Sequence, residues 1–137
     1  MLHGYLIKSW VKHLDTKQKI NREVSVAPMM DCTDRHDRFF LRLMSKNVML
    51  YTEMVATKSA IHGDRNKILS FSPEEKPLAL QVGGSDKNEL AEVAKIAEDM
   101  GYDEININLG CPSKKVQKNK FGACLMREPD LVSECIH

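Results

Sequence analysis

The chain has 137 residues, of which 42% are hydrophobic and 28% are charged, and its formal net charge is +1. These values describe an ordinary globular protein with room for one domain. No apolar run approaches the roughly 18 residues that a membrane helix needs, so we expect no membrane span. The first residues lack the charged start, apolar core and cleavage site of a secretory signal, and we therefore expect a cytoplasmic protein.

The four cysteines do not follow a metal-binding or disulfide pattern. No Cys-x-x-Cys pair occurs and no closely spaced pair of histidines accompanies them, so no metal site is expected. A disulfide framework is not expected either in a chain of this size without a secretory signal. Four free thiols in a reducing cytoplasm are the default interpretation.

Residues 1–23 are basic and weakly periodic, which predicts an N-terminal extension separate from a domain at 24–137. From residue 24 onward, strand-like apolar patterns alternate with helical ones. The predicted elements are strand 24–29, helix 36–44, strand 48–55, helix 57–62, strand 78–82, helix 86–100, strand 104–109 and a helix that begins at residue 128.

Two of these helices carry boundary signals. Phe39, Phe40 and Leu43 indicate the first helix, after a polar start at 31–34 that offers capping side chains. The helix over 86–100 begins at an aspartate with a glutamate three residues later, and a glycine follows its last residue. Such residues favour a capped start and a left-handed end.

Alternating strands and helices imply an α/β fold with a parallel sheet and right-handed crossovers, here about four β/α units. Two architectures fit: an open doubly wound sheet, or part of a TIM (β/α)8 barrel. The turn after the first strand has no Gly-x-Gly-x-x-Gly, which disfavours a Rossmann dinucleotide site. Functional groups in both architectures lie at the carboxyl ends of the strands, which here carry Pro28, Met29, Glu53, Gln81, Asn108 and Cys111.

Carboxamides occupy one face of two of the predicted strands. Asn106 and Asn108 alternate with aliphatic residues, and Gln81 shares its face with Ala79. Buried amides need partners, because an unpaired buried polar group costs about 1–3 kcal/mol. A flat heteroaromatic ring with imide N–H and C=O groups would supply such partners, and so would an internal polar network.

Cys111 follows the last of these strands directly, between Gly110 and Pro112. A thiol is mostly protonated at neutral pH, so Cys111 can donate a proton to a developing carbanion. The alternative is a buried small apolar side chain, the commoner role of a lone cysteine. We interpret Cys32, Cys124 and Cys135 in that second way.

A basic segment follows Cys111. Five positive charges and no acid occur between residues 111 and 127. Such a segment could recruit a polyanion, or it could be a solvated loop. The positive side chains are Lys114, Lys115, Lys118, Lys120 and Arg127.

Several strings occur together in one order: Val-Ala-Pro-Met-Met-Asp31, Leu-Tyr-Thr-Glu-Met-Val55, Leu-Gln-Val-Gly-Gly-Ser85, Ile-Asn-Ile-Asn-Leu-Gly-Cys-Pro-Ser113 and Phe-Gly-Ala-Cys-Leu-Met126. In these strings, from about residue 24 to the end, the chain closely resembles the N-terminal part of tRNA-dihydrouridine synthases of the A subfamily. Another flavin barrel, such as a dihydroorotate dehydrogenase relative, is disfavoured by the Gly-Cys-Pro-Ser and Phe-Gly-Ala-Cys-Leu-Met strings. A non-catalytic half barrel that binds RNA or a partner chain is the alternative from a different class.

The resemblance implies an FMN-dependent TIM barrel followed by a helical tRNA-binding domain. The family uses NADPH to reduce FMN and then reduces the 5,6 double bond of D-loop uridines, at positions 20 and 20a in the A subfamily. By the same resemblance, Cys111 protonates uracil C5, and Asn108 contacts the substrate nucleotide. Pro28, Met29 and Met30 supply backbone against FMN, and Gln81 bonds the edge of its ring. The run from Lys114 to Lys120 would meet tRNA phosphates.

The resemblance also marks a departure, because the family's barrel has eight β/α units and this sequence covers about four. We therefore expect residues 24–137 to be the N-terminal half of the catalytic barrel, in a fragment of a longer enzyme or an incomplete gene model. The flavin phosphate site lies after strands seven and eight in such barrels. The isolated chain is thus expected to bind FMN weakly or not at all, while a full-length family member is expected to be a monomer.

Overall fold

The computed structural model describes residues 20–137, so nearly all of the predicted extension at 1–23 lies outside the described residues. The helices are α1 (Arg35–Met44), α2 (Thr57–His62), α3 (Arg65–Ile68), α4 (Lys87–Met100), α5 (Lys114–Lys118) and α6 (Pro129–Ile136). The strands are β1 (Leu50–Tyr51), β2 (Val55–Ala56), β3 (Leu78–Gly83) and β4 (Glu104–Ile107), and short 3₁₀ helices cover Pro73–Glu75 and Gly122–Arg127. None of the helices in this range is long and apolar enough to cross a bilayer.

A parallel sheet is centred on β3. This strand pairs with β1 and β2, which follow one another along the chain, and also with β4. In the pairing with β4, Gln81 lies opposite Asn106, so their side chains share one face of the sheet. Helices connect β2 to β3 and β3 to β4, and the predicted α/β fold with a parallel sheet is confirmed.

The strand predicted over 24–29 is wrong as a regular strand. Ser25 makes one isolated parallel bridge to Met49, flanked by two backbone hydrogen bonds of 2.9 and 3.2 Å. Pro28 has no N–H with which to extend a ladder, and a turn begins two residues later. The segment that the sequence predicts as a strand therefore becomes an extended edge that leads into a loop.

The strand predicted over 48–55 is interrupted by a bulge. The pairing with β3 shifts by one residue between β1 and β2, so residues 52–54 face only two residues of β3. The Gln81 N–H donates instead to the Thr52 hydroxyl at 3.0 Å, so it does not remain unpaired. The bulge thus keeps the ladder satisfied while it ends the regular strand early.

The apolar core lies between β3 and α4. Every residue of β3 is buried, and α4 contributes Leu90, Val93, Ile96 and Ala97 to the same cluster. Burial of each large aliphatic side chain is worth about 1.5–3 kcal/mol. The predicted caps of α4 are confirmed. The Asp86 carboxylate accepts two backbone N–H bonds, and Gly101 ends the helix at a φ of 87°.

The first helix is buried through its arginines. Asp34 caps it as predicted, yet Arg38 and Arg42 are its buried residues. Arg38 Nε donates to Glu75 Oε2 at 2.6 Å, and Arg42 Nη2 donates to the Glu75 carbonyl at 2.9 Å. Burial lowers the pKa of Arg42. Three apolar residues that indicated this helix are instead between 42% and 71% exposed: Phe39, Phe40 and Leu43.

Candidate active site

Loops at the carboxyl ends of the strands surround a cavity of about 1390 Å³. Residues of the bulge, of the turn after residue 28 and of the loop after β4 all line this cavity. Eight of the residues that the sequence predicted for a site line this cavity: Pro28, Met29, Met30, Gln81, Asn108, Cys111, Lys115 and Lys120. Lys114 and Lys118, which were predicted together with them, are exposed and are not among the lining residues.

Three carboxamides on the cavity wall form a hydrogen-bonded relay. Asn108 Oδ1 accepts from the backbone N–H groups of Gly110 and Cys111, at 3.2 and 2.9 Å. Asn108 Nδ2 donates to Gln81 Oε1 at 3.0 Å, and Gln81 Nε2 donates to Asn106 Oδ1 at 2.8 Å. Since backbone N–H groups can only donate, they set the direction of the whole relay. Each amide therefore has one orientation that satisfies its neighbours.

The relay leaves hydrogen-bonding capacity for a ligand. Gln81 uses one of its two amide protons and one of its two carbonyl lone pairs, so one of each remains. Among the hydrogen bonds of residues 20–137, none uses Asn106 Nδ2, and Asn106 is partly exposed at the cavity wall. The internal polar network expected as one alternative is thus present, and it still offers donors and an acceptor to the cavity.

Cys111 is held by its backbone on both sides. Its N–H donates to Asn108 at 2.9 Å, and its carbonyl accepts from Ala123 N at 3.0 Å. Gly122 makes this approach possible, because a Cβ there would lie 2.7 Å from the Cys111 carbonyl oxygen, and its φ is 75°. Cys111 is partly exposed and borders the cavity. A partly exposed, positioned thiol is suited to proton transfer to a ligand.

The turn at residues 29–31 is fastened from two sides. Met29 N donates to Thr33 Oγ1 at 3.0 Å, and Asp31 N donates to Glu53 Oε1 at 2.5 Å. Asp31 has a φ of 61°, in the left-handed region that non-glycine residues rarely adopt. The Glu53 carboxylate comes from the bulge at 52–54 and stabilises this conformation. It thereby holds Met29 and Met30 at the edge of the cavity.

The basic segment packs back against the end of β3 and contributes to the lining of the cavity. Phe121 packs against Gly83, where an added Cβ would meet the phenyl ring at 2.5 Å. Lys120 adopts a φ of 59°, and α5 carries Lys115 beside it on the cavity side. The segment therefore brings two lysines to the lining of the cavity that Cys111 borders. Together with the amides and the thiol, they can bind an anionic ligand that carries a polar ring.

Sequence reasoning missed the supporting role of Thr52 and Glu53. The signal was present, since a threonine and a glutamate interrupt the apolar run between Leu50 and Val55, but it does not reveal which distant backbone they bond. The interpretation of Cys32 as buried is wrong, because its side chain is exposed. Cys124 and Cys135 are partly buried, and burial raises the pKa of Cys135.

Comparisons with known proteins identify relatives of this chain. The family model of "Dihydrouridine synthase (Dus)" matches residues 25–137. A "tRNA-dihydrouridine(20/20a) synthase" of Synechocystis sp. is 60% identical over 113 residues, which are 82% of this chain and 34% of the relative. Proteins of the same name are 55% identical over 124 residues in Shewanella oneidensis and 57% identical over 117 residues in Pseudomonas aeruginosa. These alignments cover 90% and 85% of this chain, and 37% and 35% of the relatives.

The chain thus spans about a third of the length of the curated relatives it matches. The matched region contains the whole described sheet, the amide relay and Cys111. A family model that covers residues 25–137 and relatives at 55–60% identity agree with each other. The chain belongs to the dihydrouridine synthase family.

Proposed function

We propose that this chain is the N-terminal part of a cytoplasmic tRNA-dihydrouridine synthase of the A subfamily. The complete enzyme would reduce D-loop uridines at positions 20 and 20a to 5,6-dihydrouridine. One observation carries the proposal: Cys111 borders a cavity, and the amide relay of Asn108, Gln81 and Asn106 lies in the wall of the same cavity and is bonded to the Cys111 backbone. The names of the relatives support the substrate and the positions.

The fold proposal is that residues 24–137 form the first half of a TIM barrel, preceded by an extension at 1–23. Each strand of the described sheet lies beside a strand that is near to it in the chain, as in a barrel. The polar relay faces the side on which a barrel would place its centre. The exposed apolar side chains of α1 offer a surface for a further helix of the outer ring.

The residues of this chain fit an FMN ring. A flavin edge presents an imide N–H between two carbonyl oxygens, and Gln81 retains one acceptor and one donor with which to pair them. The backbone of Pro28 to Met30, fastened through Thr33 and Glu53, would lie along the ring. FMN, once reduced by NADPH, would supply the hydride that uracil receives at C6.

The chain's own part in the reaction is to hold the uracil ring and to deliver a proton. A base inside a stacked tRNA loop cannot reach this cavity, so the target uridine must be extruded into it. Asn108 would orient the base from the cavity wall. Cys111 would transfer the Sγ proton to C5, and the resulting thiolate would take a new proton from solvent.

The lysines near Cys111 would bind tRNA phosphates. Lys115 and Lys120 border the cavity, while Lys114 and Lys118 extend into solvent on the same segment. Phosphate contacts position a nucleic acid without reading its sequence. We therefore assign these four lysines to tRNA affinity, and we assign the choice of uridine to the remainder of the enzyme.

The proposal is tested by Cys111→Ala in the complete synthase, with dihydrouridine counted in tRNA by mass spectrometry. Loss of a general acid should slow product formation about 100-fold or more, while tRNA binding is retained. Cys32→Ala, the same change at an exposed thiol that does not line the cavity, serves as the matched control and should keep full activity. Unchanged activity of Cys111→Ala would contradict the mechanism, and tRNA binding without any reduction by the native protein would favour a non-catalytic RNA-binding function.

A further inference from the structure

We propose that Asn106 is a positioning residue of the flavin site, which acts by holding the Gln81 carboxamide in place through the bond that its Oδ1 accepts. This inference rests on the proposed function and extends it to a residue that was not among the predicted contacts. Asn106 and Gln81 are direct partners on neighbouring strands, and the bond between their amides measures 2.8 Å. Gln81 is only 6% exposed, so little solvent reaches its amide to replace a lost partner.

The role of Asn106 depends on which way the nearly symmetric Gln81 carboxamide is turned. A half-turn of the Gln81 side-chain amide exchanges its oxygen and nitrogen with almost no change in shape, and only hydrogen bonds choose between the two states. Asn108 donates to Gln81 Oε1, and Asn106 accepts from Gln81 Nε2. In the reversed state, two N–H groups would face each other at the Asn108 end, whereas Asn106 could turn its amide over and donate to the Gln81 oxygen. Because Asn108 is itself held by two backbone N–H groups, it selects the state, and Asn106 supplies the acceptor that the selected state needs.

The orientation matters because a flavin edge has a fixed order of donor and acceptors. A reversed Gln81 would present its remaining donor where its acceptor belongs. If Asn106 is removed, Asn108 alone selects the orientation, and one buried Gln81 N–H loses its acceptor. The loss of one hydrogen bond of ordinary strength corresponds to a change in affinity of about fivefold.

The other end of the relay should be insensitive to Asn106. Asn108 Oδ1 keeps its two backbone donors, from Gly110 and Cys111, whatever happens at Asn106. The turn that presents the Cys111 thiol is therefore held independently. The inference thus predicts a separation: flavin affinity falls in Asn106→Ala, while turnover at saturating FMN stays within about twofold of the native value.

The test is a double-mutant cycle in the complete synthase, stripped of flavin and titrated with FMN by fluorescence quenching. Asn106→Ala should bind FMN about fivefold more weakly, and Gln81→Ala about tenfold or more. Because Asn106 acts through Gln81, the double variant should match Gln81→Ala within about twofold. Independent, multiplying effects would overturn the inference, and so would native affinity in Asn106→Ala.

Two further variants keep the outcome unambiguous. Asn88→Ala makes the same change on the exposed side of α4 and should leave FMN affinity unchanged. Asn106→Asp keeps an acceptor oxygen for Gln81 Nε2 in the same shape, and it should bind oxidised FMN within about twofold of the native protein. If Asn106→Ala does not fold, the aspartate variant decides, and a loss greater than about fivefold overturns the inference. Failure of the native protein to bind FMN would refute the proposed function itself, and the inference with it.

Discussion

The buried carboxylate of Glu75 should be one of the most sensitive positions for the stability of this chain. Its side chain is 0% exposed, and that of its partner Arg38 is 6% exposed. Glu75 Oε2 accepts from Arg38 Nε at 2.6 Å, while Oε1 accepts from Ser72 N at 2.7 Å. Glu75→Ala removes both acceptors and leaves a buried guanidinium whose one remaining partner among residues 20–137 is the Thr33 carbonyl.

The expected cost follows from the unpaired charge. Breaking a buried ion pair by removing one partner destabilises a protein by about 3–5 kcal/mol, because the remaining charge stays in a poorly solvated place. Glu75→Ala should therefore lower the free energy of unfolding by about that amount. Replacement of both partners, in Arg38→Met with Glu75→Leu, should recover most of the loss, because no charge is then buried.

Urea unfolding followed by circular dichroism measures these differences in the complete protein. Glu74 offers a matched control, since it is the adjacent glutamate and is exposed. Glu74→Ala should change the free energy of unfolding by less than about 0.5 kcal/mol. A loss of less than about 1 kcal/mol in Glu75→Ala would refute the claim that this ion pair, which joins α1 to the segment before β3, contributes strongly to the free energy of unfolding.

Two further predictions concern the loop beside the cavity and the first helix. Glu53→Ala should weaken FMN binding by about threefold to tenfold, because the Asp31 N–H loses the acceptor that holds its left-handed backbone. Glu53→Gln keeps an acceptor and should keep most of the affinity. Equal effects of the two changes on the FMN affinity measured by titration would contradict this account. Hydrogen bonds from the backbone N–H groups of Asp37 and His36 lower the pKa of the Asp34 carboxyl in the folded protein. The carboxylate therefore stabilises the fold fully above the pKa that it has in the unfolded chain, and this stabilisation is lost as pH falls through the pKa of the folded protein. Thermal melting at a series of acidic pH values should therefore show a smaller loss of stability in Asp34→Asn than in the native protein, and identical pH profiles would exclude this contribution.

The candidate site shows where sequence reasoning stops. Cys111, Asn108 and Gln81 were identified from their places at the ends of alternating strands, and the structure brings them to one cavity wall. The direction of the bonds between them required coordinates, because it depends on two backbone N–H groups of a turn and on the pairing of β3 with β4. Glu53 was visible as a polar residue at a strand end, but its partner Asp31 lies 22 residues away.

The first helix shows the same limit for the fold. Its start at Asp34 was predictable, since capping depends on neighbouring residues. Its buried face was not, because Phe39, Phe40 and Leu43 suggested an apolar face while the structure buries Arg38 and Arg42 against Glu75. An arginine can be buried only where a distant segment supplies acceptors, and periodicity along the helix contains no information about that segment.

The sequence by itself determined the features that depend on near neighbours: the alternation of strands and helices, the caps at Asp86 and Gly101, and the thiol placed at the exit of a strand. The tertiary structure decided the features that depend on contacts between distant residues: the bulge after β1, the buried ion pair of Arg38, and the single direction of the amide relay. The physical reason is that local preferences act over a few residues, whereas the burial of a charge or the orientation of an amide is settled by whichever partners the fold brings within hydrogen-bonding distance.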